Sequence, residues 1–314
     1  MAKNLGMLTG GGDAPGLNAV MRAVVKYGTK LGYTLTGIED SFNGLLETPR
    51  RVQSLTPVSC KGLLQLGGTF LGTTNHGDPF AYPDGSGHDA DRSREVKRAM
   101  DELGLDGLIV LGGDGTQRIA RKLMEVHGIK VIGVPKTIDN DLGATDLTFG
   151  FQSAVDCVAD SLDRLHTTAE SHDRVILLEV MGRNAGFIAL HGGIAGGADA
   201  IVIPEIPWQA DRLVAKIEER RAIGRPFSLF VVAEGAYPAG APAPGTKLVP
   251  GSATQRVAER AARAHTVHCE AKAKGAEAHA VVAALGASSL ERQKIGLECT
   301  ENLWGPARVE CYKN

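Results

Sequence analysis

Three short loops carry most of the residues in this sequence that could do chemistry. The first covers residues 10–16 and reads GGGDAPG. Glycines let a backbone approach a ligand closely, and free N–H groups at the start of a helix suit a phosphate. The loop is not the dinucleotide fingerprint, because Pro15 stands where the third glycine would be, and no GxxxxGK[ST] phosphate loop occurs in the chain. A phosphate cradle and a tight structural turn both remain open.

The second loop, residues 112–116, reads GGDGT and follows the apolar run LIVL. A carboxylate among glycines, here Asp114, could hold a magnesium ion by an oxygen or through water, while the amides of the loop bind a polyphosphate. The alternative is a helix N-cap, a position that aspartate and threonine both favour. The residue types alone do not separate these interpretations.

The third loop, residues 135–141, reads PKTIDND and follows the apolar run VIGV. Asp139 and Asp141 stand two residues apart, beside Lys136 and Thr137. Two such carboxylates can divide labour, one accepting a proton while the other sets charge or orientation. The alternative is an ordinary polar turn. A third loop of this kind after two phosphate-like loops favours the catalytic interpretation.

The periodicity of the chain predicts the elements that must position these loops. Short runs of Leu, Ile and Val alternate with longer segments of helical period, which indicates parallel sheets covered by helices. Candidate strands cover residues 5–9, 34–37, 107–111, 130–134, 175–180, 200–202 and 229–232. Candidate helices cover residues 16–31, 91–103, 116–126, 152–169 and 209–222. The three loops then lie at the carboxyl ends of strands, where open α/β sheets bind their ligands.

Composition excludes several classes of partner. The 314 residues include 34 basic and 36 acidic side chains, giving a formal net charge of -2. No global field would draw this chain to nucleic acid or to an anionic membrane, and no uninterrupted apolar run reaches the ~18 residues of a membrane span. A cytoplasmic protein is expected. The five cysteines form no CxxC pair and are interpreted as free thiols. They are Cys60, Cys157, Cys269, Cys299 and Cys311.

Four motifs, in the right order, make the chain resemble the 6-phosphofructokinases, in particular a bacterial group. They are GGDAPGLN at 11–18, GGDGT at 112–116, PKTIDND at 135–141 and MGRNAG at 181–186. The resemblance covers roughly residues 1–262. It implies the α/β phosphofructokinase fold: two Rossmann-like three-layer domains with mostly parallel sheets. An ATP- and magnesium-binding domain at 1–142, a sugar-phosphate domain at 143–262 and a divergent segment at 263–314 are expected.

The resemblance implies phosphoryl transfer from ATP to the 1-hydroxyl of fructose 6-phosphate, giving fructose 1,6-bisphosphate in glycolysis. Asp139 would be the general base, and Arg183, Thr137 and Asp141 would complete the catalytic set. The donor, with Mg²⁺ as cofactor on Asp114, would be bound by Gly12, Asn75, His76, Gly113, Asp114, Gly115 and Thr116. The sugar phosphate would be bound by Thr137, Asp139, Arg174, Met181, Gly182, Arg183 and Glu234. Arg174 would act across a subunit interface, which implies a homo-oligomer, a dimer or tetramer.

The identity of the donor depends on two positions. Pyrophosphate-using relatives usually carry an aspartate where this chain has Gly115, and that carboxylate would repel the α-phosphate of ATP. Gly115 therefore favours ATP. Lys136 points towards pyrophosphate, although a lysine also occurs there in ATP-dependent members of the same group. A pyrophosphate-dependent phosphofructokinase is the alternative.

The chain departs from the family pattern in two places. Many relatives carry an arginine for the donor phosphates where this chain reads TTNH at 73–76, and His76 supplies less charge. Beyond about residue 262 the expected strand and LGHxQRGG loop are missing, and an alanine-rich stretch follows. A replaced terminus and genuine divergence with an alanine-rich helix both fit. Losing charged contacts to the sugar phosphate, at roughly 1.5–3 kcal/mol each, would weaken its binding or leave a nucleotide-binding remnant without activity.

Overall fold

The computed structural model describes residues 3–83, 87–143, 145–241 and 280–284. Its helices are α1 (Leu17–Lys30), α2 (Asn43–Leu46), α3 (Ser93–Glu102), α4 (Asp114–His127), α5 (Phe151–Ser171), α6 (Phe187–Ala195) and α7 (Ala210–Ala222). Its strands are β1 (Asn4–Gly10), β2 (Thr34–Ile38), β3 (Val52–Leu55), β4 (Tyr82–Pro83), β5 (Asp89–Ala90), β6 (Gly107–Gly112), β7 (Val131–Thr137), β8 (Phe149–Gly150), β9 (Val175–Val180), β10 (Ala200–Val202), β11 (Ser228–Ala233) and β12 (Ala280–Ala284). The chain folds as two compact units, Met1–Gln152 and Ser153–Asn314.

Every strand and helix predicted from the periodicity is present; the strands at 175–180 and 200–202 have the predicted ends, and the others are shifted by one to three residues at one or both ends. Two shifts matter for function, since α4 begins at Asp114 and β7 continues to Thr137. The helix α6 was not predicted, because its sequence FIALHGGIA is apolar almost throughout and has no polar face. The strand β3 was also missed, since four residues give too short a pattern to recognise.

The first unit is built on a six-stranded sheet of order β3-β2-β1-β6-β7-β8. All neighbours pair in parallel except β2 and β3, which are antiparallel. The chain leaves β1 for β2 on one side and later returns to β6 on the other. The carboxyl ends of β1 and β6 therefore border a topological switch point, where open α/β sheets form their ligand crevice.

Alternating residues of the central strands fill two cores on opposite faces of this sheet. Met7 of β1 packs with Leu17 and Met21 of α1. Leu8, the next residue, packs on the opposite face with Val96 of α3 and Leu123 of α4. Because successive side chains of a strand point to opposite faces, helices cover both sides of the sheet. This unit has the expected three-layer α/β architecture.

The side chain of Gln117 connects the start of α4 to the sheet by hydrogen bonds. Its Nε2 lies 3.1 Å from each of the carbonyl oxygens of Val110, Gly112 and Val134, on β6 and β7. The side chain fills the space beside Gly133, where a Cβ would stand 2.2 Å from Gln117 Oε1. One amide group therefore joins two strands to the helix that follows the second loop.

The second unit contains a four-stranded parallel sheet of order β10-β11-β9-β12. Val175 and Leu177 of β9 share a core with Phe230 of β11 and with Leu213 of α7. At the edge of this sheet, Arg220 of α7 forms an ion pair of 2.6 Å with Asp199, and both side chains are 13% exposed. The second unit therefore also has the predicted parallel α/β arrangement.

The segment after residue 262 differs from the expectation in one respect. Ala280–Ala284 forms a strand that pairs in parallel with β9, whereas the alanine content favoured a helix and no family strand was expected there. Val281 and Val282 are β-branched, and pairing with a sheet edge outweighs the helix propensity of alanine. The rest of 263–314 lies outside the described residues.

Two of the five cysteines lie in the described part of the chain, and both are free thiols: Cys60 is buried and Cys157 is exposed. Cys269, Cys299 and Cys311 lie outside it. Among the residues described, no helix combines the length and the apolar character needed to cross a membrane.

We expect Gln117→Glu to destabilise the chain by about 1–3 kcal/mol, because the substitution replaces an amide donor facing three carbonyls with an acceptor. Urea unfolding followed by circular dichroism measures the effect. Gln65→Glu makes the same chemical change on an exposed side chain and should stay within about 0.5 kcal/mol of the parent chain. Equal unfolding midpoints for the two variants would contradict the role given to Gln117.

Candidate functional site

The strand register places the three loops at one level of the first sheet. Gly10, the last residue of β1, is paired with Gly112 of β6, and Gly112 is paired with Pro135 of β7. The chain therefore leaves three adjacent parallel strands at the same edge. The loops that the sequence singled out are neighbours in space because of this register.

The first loop needs glycine for its conformation. Gly11 has φ of +81°, in the left-handed region that favours glycine. Its amide donates to Thr74 O at 3.0 Å, and Thr73 Oγ1 donates to its carbonyl at 2.6 Å. Gly12 is exposed, and a Cβ built on it would meet no atom within 4 Å. These two hydrogen bonds hold the backbone of the loop at Gly11, and the open space at Gly12 leaves room for a ligand.

The second loop turns directly into α4. The N-cap position is Gly113, which has no side-chain capping bond, and Asp114 is the first helical residue. The Asp114 carboxylate instead forms an ion pair with Arg118, one turn along the helix. Asp114 is therefore not the N-cap of α4. The other interpretation of its carboxylate, as a group that binds a ligand, remains.

Thr116 explains why glycines end β1 and β6. Its side chain is 8% exposed and lies against both strand ends. A Cβ on Gly112 would stand 2.4 Å from Thr116 Cβ, and a Cβ on Gly10 would stand 2.7 Å from Thr116 Cγ2. These contacts are too close for any side chain. The side chain of Thr116 therefore determines how closely the first two loops approach each other.

A cleft with a volume of about 610 Å³ lies between the loops. Eight residues predicted for the site from the sequence line it together. They are Gly12, Asn75, His76, Gly113, Asp114, Gly115, Thr116 and Thr137. Asn75 and His76 are exposed residues of the lining, and Phe42, Phe80 and Ile119 add apolar surface. One cleft therefore joins phosphate-like loops to a wall on which a flat apolar group could pack.

Lys136 lies at the base of this cleft and links two loops. It is 4% exposed, and its Nζ donates a hydrogen bond to Gly12 O. Burial lowers the pKa of Lys136 below its ordinary value, while the charges of Asp13 and Asp139 oppose this shift. An ammonium group therefore stands among the backbone of the first loop and the carboxylates of the first and third loops.

The third loop is closed by short local bonds. Asn140 has φ of +53°, and its Oδ1 accepts a bond of 2.9 Å from the amide of Thr148. Thr148 Oγ1 donates in turn to Thr137 O at 2.6 Å. The amide of Asp139 donates to Thr137 Oγ1 at 3.2 Å. Thr137 and Asn140 thus have a structural task, which is to hold the backbone at Asp139.

The two carboxylates of the third loop are placed differently. Thr137 lines the cleft, whereas Asp139 lies two residues beyond it, half-buried and close enough to act on the charge of Lys136. Asp141 is exposed and is not part of the lining. The structure therefore separates the two, with Asp139 beside the cleft and Asp141 further along the loop.

Four predicted residues of the second unit cluster at the carboxyl ends of β9 and β11. Met181, Gly182 and Arg183 follow β9 directly, and Glu234 follows β11. The Glu234 amide donates to Val180 O at 2.9 Å. The chain segments touch at Gly235, where a Cβ would stand 2.0 Å from Arg183 O. Met181 and Arg183 keep exposed side chains, and Glu234 is half-buried.

Arg174 lies at the opposite end of β9 from that cluster. It directly precedes Val175, the first residue of the strand, and its carbonyl accepts from the Ser228 amide at 3.0 Å. A six-residue strand spans roughly 20 Å. Arg174 Nε is buried and has no hydrogen-bond partner in the described part of the chain. Within one chain, Arg174 and Arg183 are therefore not brought together.

Two cations of the cleft were missed by the sequence analysis. Arg118 and Lys122 line it, and Lys122 Nζ lies 3.9 Å from the centroid of the Phe80 ring. The available signal was their spacing, since residues four apart share a helix face and Asp114 begins the series. A helix predicted to start at Thr116 left Asp114 outside that pattern.

The donor set fits a magnesium ion that arrives with phosphates. Asp114 presents an exposed carboxylate on the cleft wall, beside the loop amides. No group of three or more His, Cys, Asp or Glu side chains suited to a metal occurs among the described residues. Magnesium is commonly held by one or two carboxylates and completes its shell with substrate phosphates and water.

Similarity to known proteins agrees with this geometry. The chain is 54% identical over 238 residues to the ATP-dependent 6-phosphofructokinase of Chloroflexus aggregans, a match covering 76% of this chain and 66% of that protein. It is 49% identical over 234 residues to ATP-dependent 6-phosphofructokinase 1 of Synechocystis, covering 74% of this chain and 64% of the relative. The chain therefore matches slightly less than two thirds of the length of these curated relatives.

A solved structure supports the fold. The phosphofructokinase of Saccharomyces cerevisiae superimposes with a TM-score of 0.73 at 27% identity, over 98% of this chain and 42% of that one. The family model for phosphofructokinase matches residues 4–286 and so extends past residue 262, where the motifs recognisable by eye end. With the loops, the cleft and both sheets in agreement, the chain belongs to the phosphofructokinase family.

Proposed function

We propose that this chain transfers a phosphoryl group from ATP to the 1-hydroxyl of fructose 6-phosphate. The observation that carries the proposal is the single cleft shared by the Gly12 loop, the Asp114 loop and Thr137, with Asp139 beside it. The names of the curated relatives support ATP rather than pyrophosphate. The activity belongs to glycolysis, in which this transfer makes fructose 1,6-bisphosphate.

The donor phosphates are proposed to lie between the first two loops. The amides of residues 113–116 begin α4, and a helix N-terminus favours a bound anion through its free N–H groups and its dipole. Gly12 leaves open space on the other side. Asp114 would hold the magnesium ion, which supplies positive charge to the donor phosphates when bound. The protein thereby aligns the donor and offsets its charge, which is most of what phosphoryl transfer requires.

Asp139 is proposed as the general base. It would take the proton of the 1-hydroxyl as that oxygen attacks the terminal phosphoryl group. The Asn140–Thr148 and Thr137–Asp139 bonds hold the backbone of the loop, so the position from which the Asp139 side chain extends is fixed. Lys136 lies close enough for its charge to interact with that of Asp139. Asp141 would contribute negative charge at the outer end of the loop.

The sugar phosphate is proposed to bind through residues of the 143–262 domain, together with Thr137. Met181, Gly182, Arg183 and Glu234 stand together at the carboxyl edge of the second sheet. Arg183 would stabilise the transferring group or the sugar phosphate by a charge-assisted hydrogen bond. Arg174, at the other end of β9 with a buried Nε, would serve the site of a second copy. A homo-oligomer, dimer or tetramer, is therefore part of the proposal.

ATP is favoured over pyrophosphate by the space at Gly115. A Cβ at this position would meet no atom within 4 Å, and Gly115 lines the cleft. A donor larger than pyrophosphate therefore has room beside the second loop. Lys136, the feature that pointed towards pyrophosphate, has its ammonium bonded to Gly12 O and buried below the cleft. Its structural bond accounts for its presence without a pyrophosphate donor.

We expect Asp139→Asn to lower kcat by about 10²–10⁴-fold, because the amide cannot accept the hydroxyl proton. ATP binding should be retained, since the donor loops are untouched. A coupled assay of fructose 1,6-bisphosphate formation and a calorimetric ATP titration measure the two quantities. Asp146→Asn makes the same change on an exposed side chain five residues after that loop and serves as the control. A kcat for Asp139→Asn within about tenfold of the control would rule out Asp139 as the base.

Gly115→Asp should weaken ATP binding by at least about tenfold, because a carboxylate is placed beside the donor phosphates. Gly115→Ala and Gly115→Asn separate size from charge. Alanine should bind ATP like the parent chain, and asparagine should lie between the two. Equilibrium ATP titration provides the measurement. Equal losses for asparagine and aspartate would show that bulk rather than charge decides, and unchanged ATP binding in Gly115→Asp would contradict the account of donor choice.

A further inference from the structure

One face of α4 carries three charged residues into the cleft. Asp114, Arg118 and Lys122 are spaced four apart, so they lie one above another along the helix. All three line the cleft. The series runs from the carboxylate proposed to hold magnesium towards the apolar wall at Phe80.

The cations of the cleft have different partners. Lys136 donates to the backbone carbonyl of Gly12 and is buried. Lys122 lies over the ring of Phe80. Arg118 is paired with the carboxylate of Asp114, and the two side chains are 75% and 53% exposed. Arg118 is thus the cation whose position depends directly on what else binds to Asp114.

We propose that Arg118 is a positioning residue that exchanges partners when the donor binds. In the free protein it neutralises Asp114 and keeps that carboxylate at the cleft wall. With a magnesium ion held by Asp114, Arg118 would leave this pair and its guanidinium would bind phosphate oxygens of the donor. This inference rests on the proposed function, since it assumes that ATP with magnesium is the donor.

Charge and geometry support the exchange. A divalent cation bound to the Asp114 carboxylate competes with the guanidinium of Arg118, because the two positive charges then repel each other beside one carboxylate. Arg118 is exposed and its long side chain can rotate without disturbing the core. Its planar donors match the oxygens of a phosphate. An exposed ion pair contributes little to stability, so its loss on binding is readily offset.

The helix also supplies a matched control. Arg121 pairs with Glu125 at 2.7 Å, four residues apart on α4, and these side chains are likewise 75% and 53% exposed. Neither residue lines the cleft. Arg121→Gln therefore removes an ion pair of the same type, exposure and helix, but away from the site.

The test is a double-mutant cycle on ATP binding by the full chain, measured by calorimetry in EDTA and again in excess magnesium. In EDTA, Asp114→Asn should bind ATP about tenfold more tightly than the parent, because it removes a negative charge and frees Arg118. In the Arg118→Gln background the same substitution should gain only about two- to threefold, from the removed charge alone. In magnesium, Arg118→Gln should weaken ATP binding by about five- to tenfold, and Arg121→Gln should match the parent chain.

Two results would overturn the inference: equal gains from Asp114→Asn in both backgrounds, or equal ATP affinities for Arg118→Gln and Arg121→Gln in magnesium. Failure of the proposed function is recognised separately, because binding rather than turnover is measured. A parent chain that binds ATP but does not phosphorylate fructose 6-phosphate contradicts the proposed function and leaves the cycle interpretable. A parent chain that binds no ATP with magnesium contradicts both.

Discussion

The alignment of three parallel strand ends is the constraint on which the candidate site depends. Gly10, Gly112 and Pro135 occupy one level because hydrogen bonding fixes the register of β1, β6 and β7. A slip of one residue would turn the alternating side chains of β1, with Met7 and Leu8, away from their separate cores. The packing of the two hydrophobic cores therefore fixes the strand register, and the register determines where the three loops of the candidate site begin.

Close approach and buried charge then shape the space between the loops. Thr116 packs against the glycines that end β1 and β6, and no larger residue would fit there. Lys136 ties the first loop to the third by its bond to Gly12 O and by its charge near Asp139. Because the ammonium is buried, its favourable partners are fixed groups rather than water. The loops that line the cleft and the carboxylate of Asp139 beside it are thus parts of one electrostatic arrangement.

Much of this arrangement could be predicted from the sequence. Apolar runs followed by glycine and acidic loops identified the strands, their parallel pairing and the loops, since each signal is local. The partners of Asp114 and Lys136 could not be predicted, because they depend on the helix start and on contacts between distant segments. Ala280–Ala284 shows the same limit, since pairing with β9 decides its conformation rather than its alanine content. The separation of Arg174 from Arg183, by contrast, follows from the strand predicted at 175–180, which lies between them.

The measurement that tests the central claim most directly is a crystal structure of the full chain with magnesium, a non-hydrolysable ATP analogue and fructose 6-phosphate. The account predicts the terminal phosphate between the Gly12 loop and the amides of residues 113–116, with the metal on Asp114. It also predicts the 1-hydroxyl of the sugar within hydrogen-bond distance of Asp139, about 2.6–3.2 Å. A nucleotide bound outside this cleft, or a sugar hydroxyl far from Asp139 in the complete complex, would contradict it.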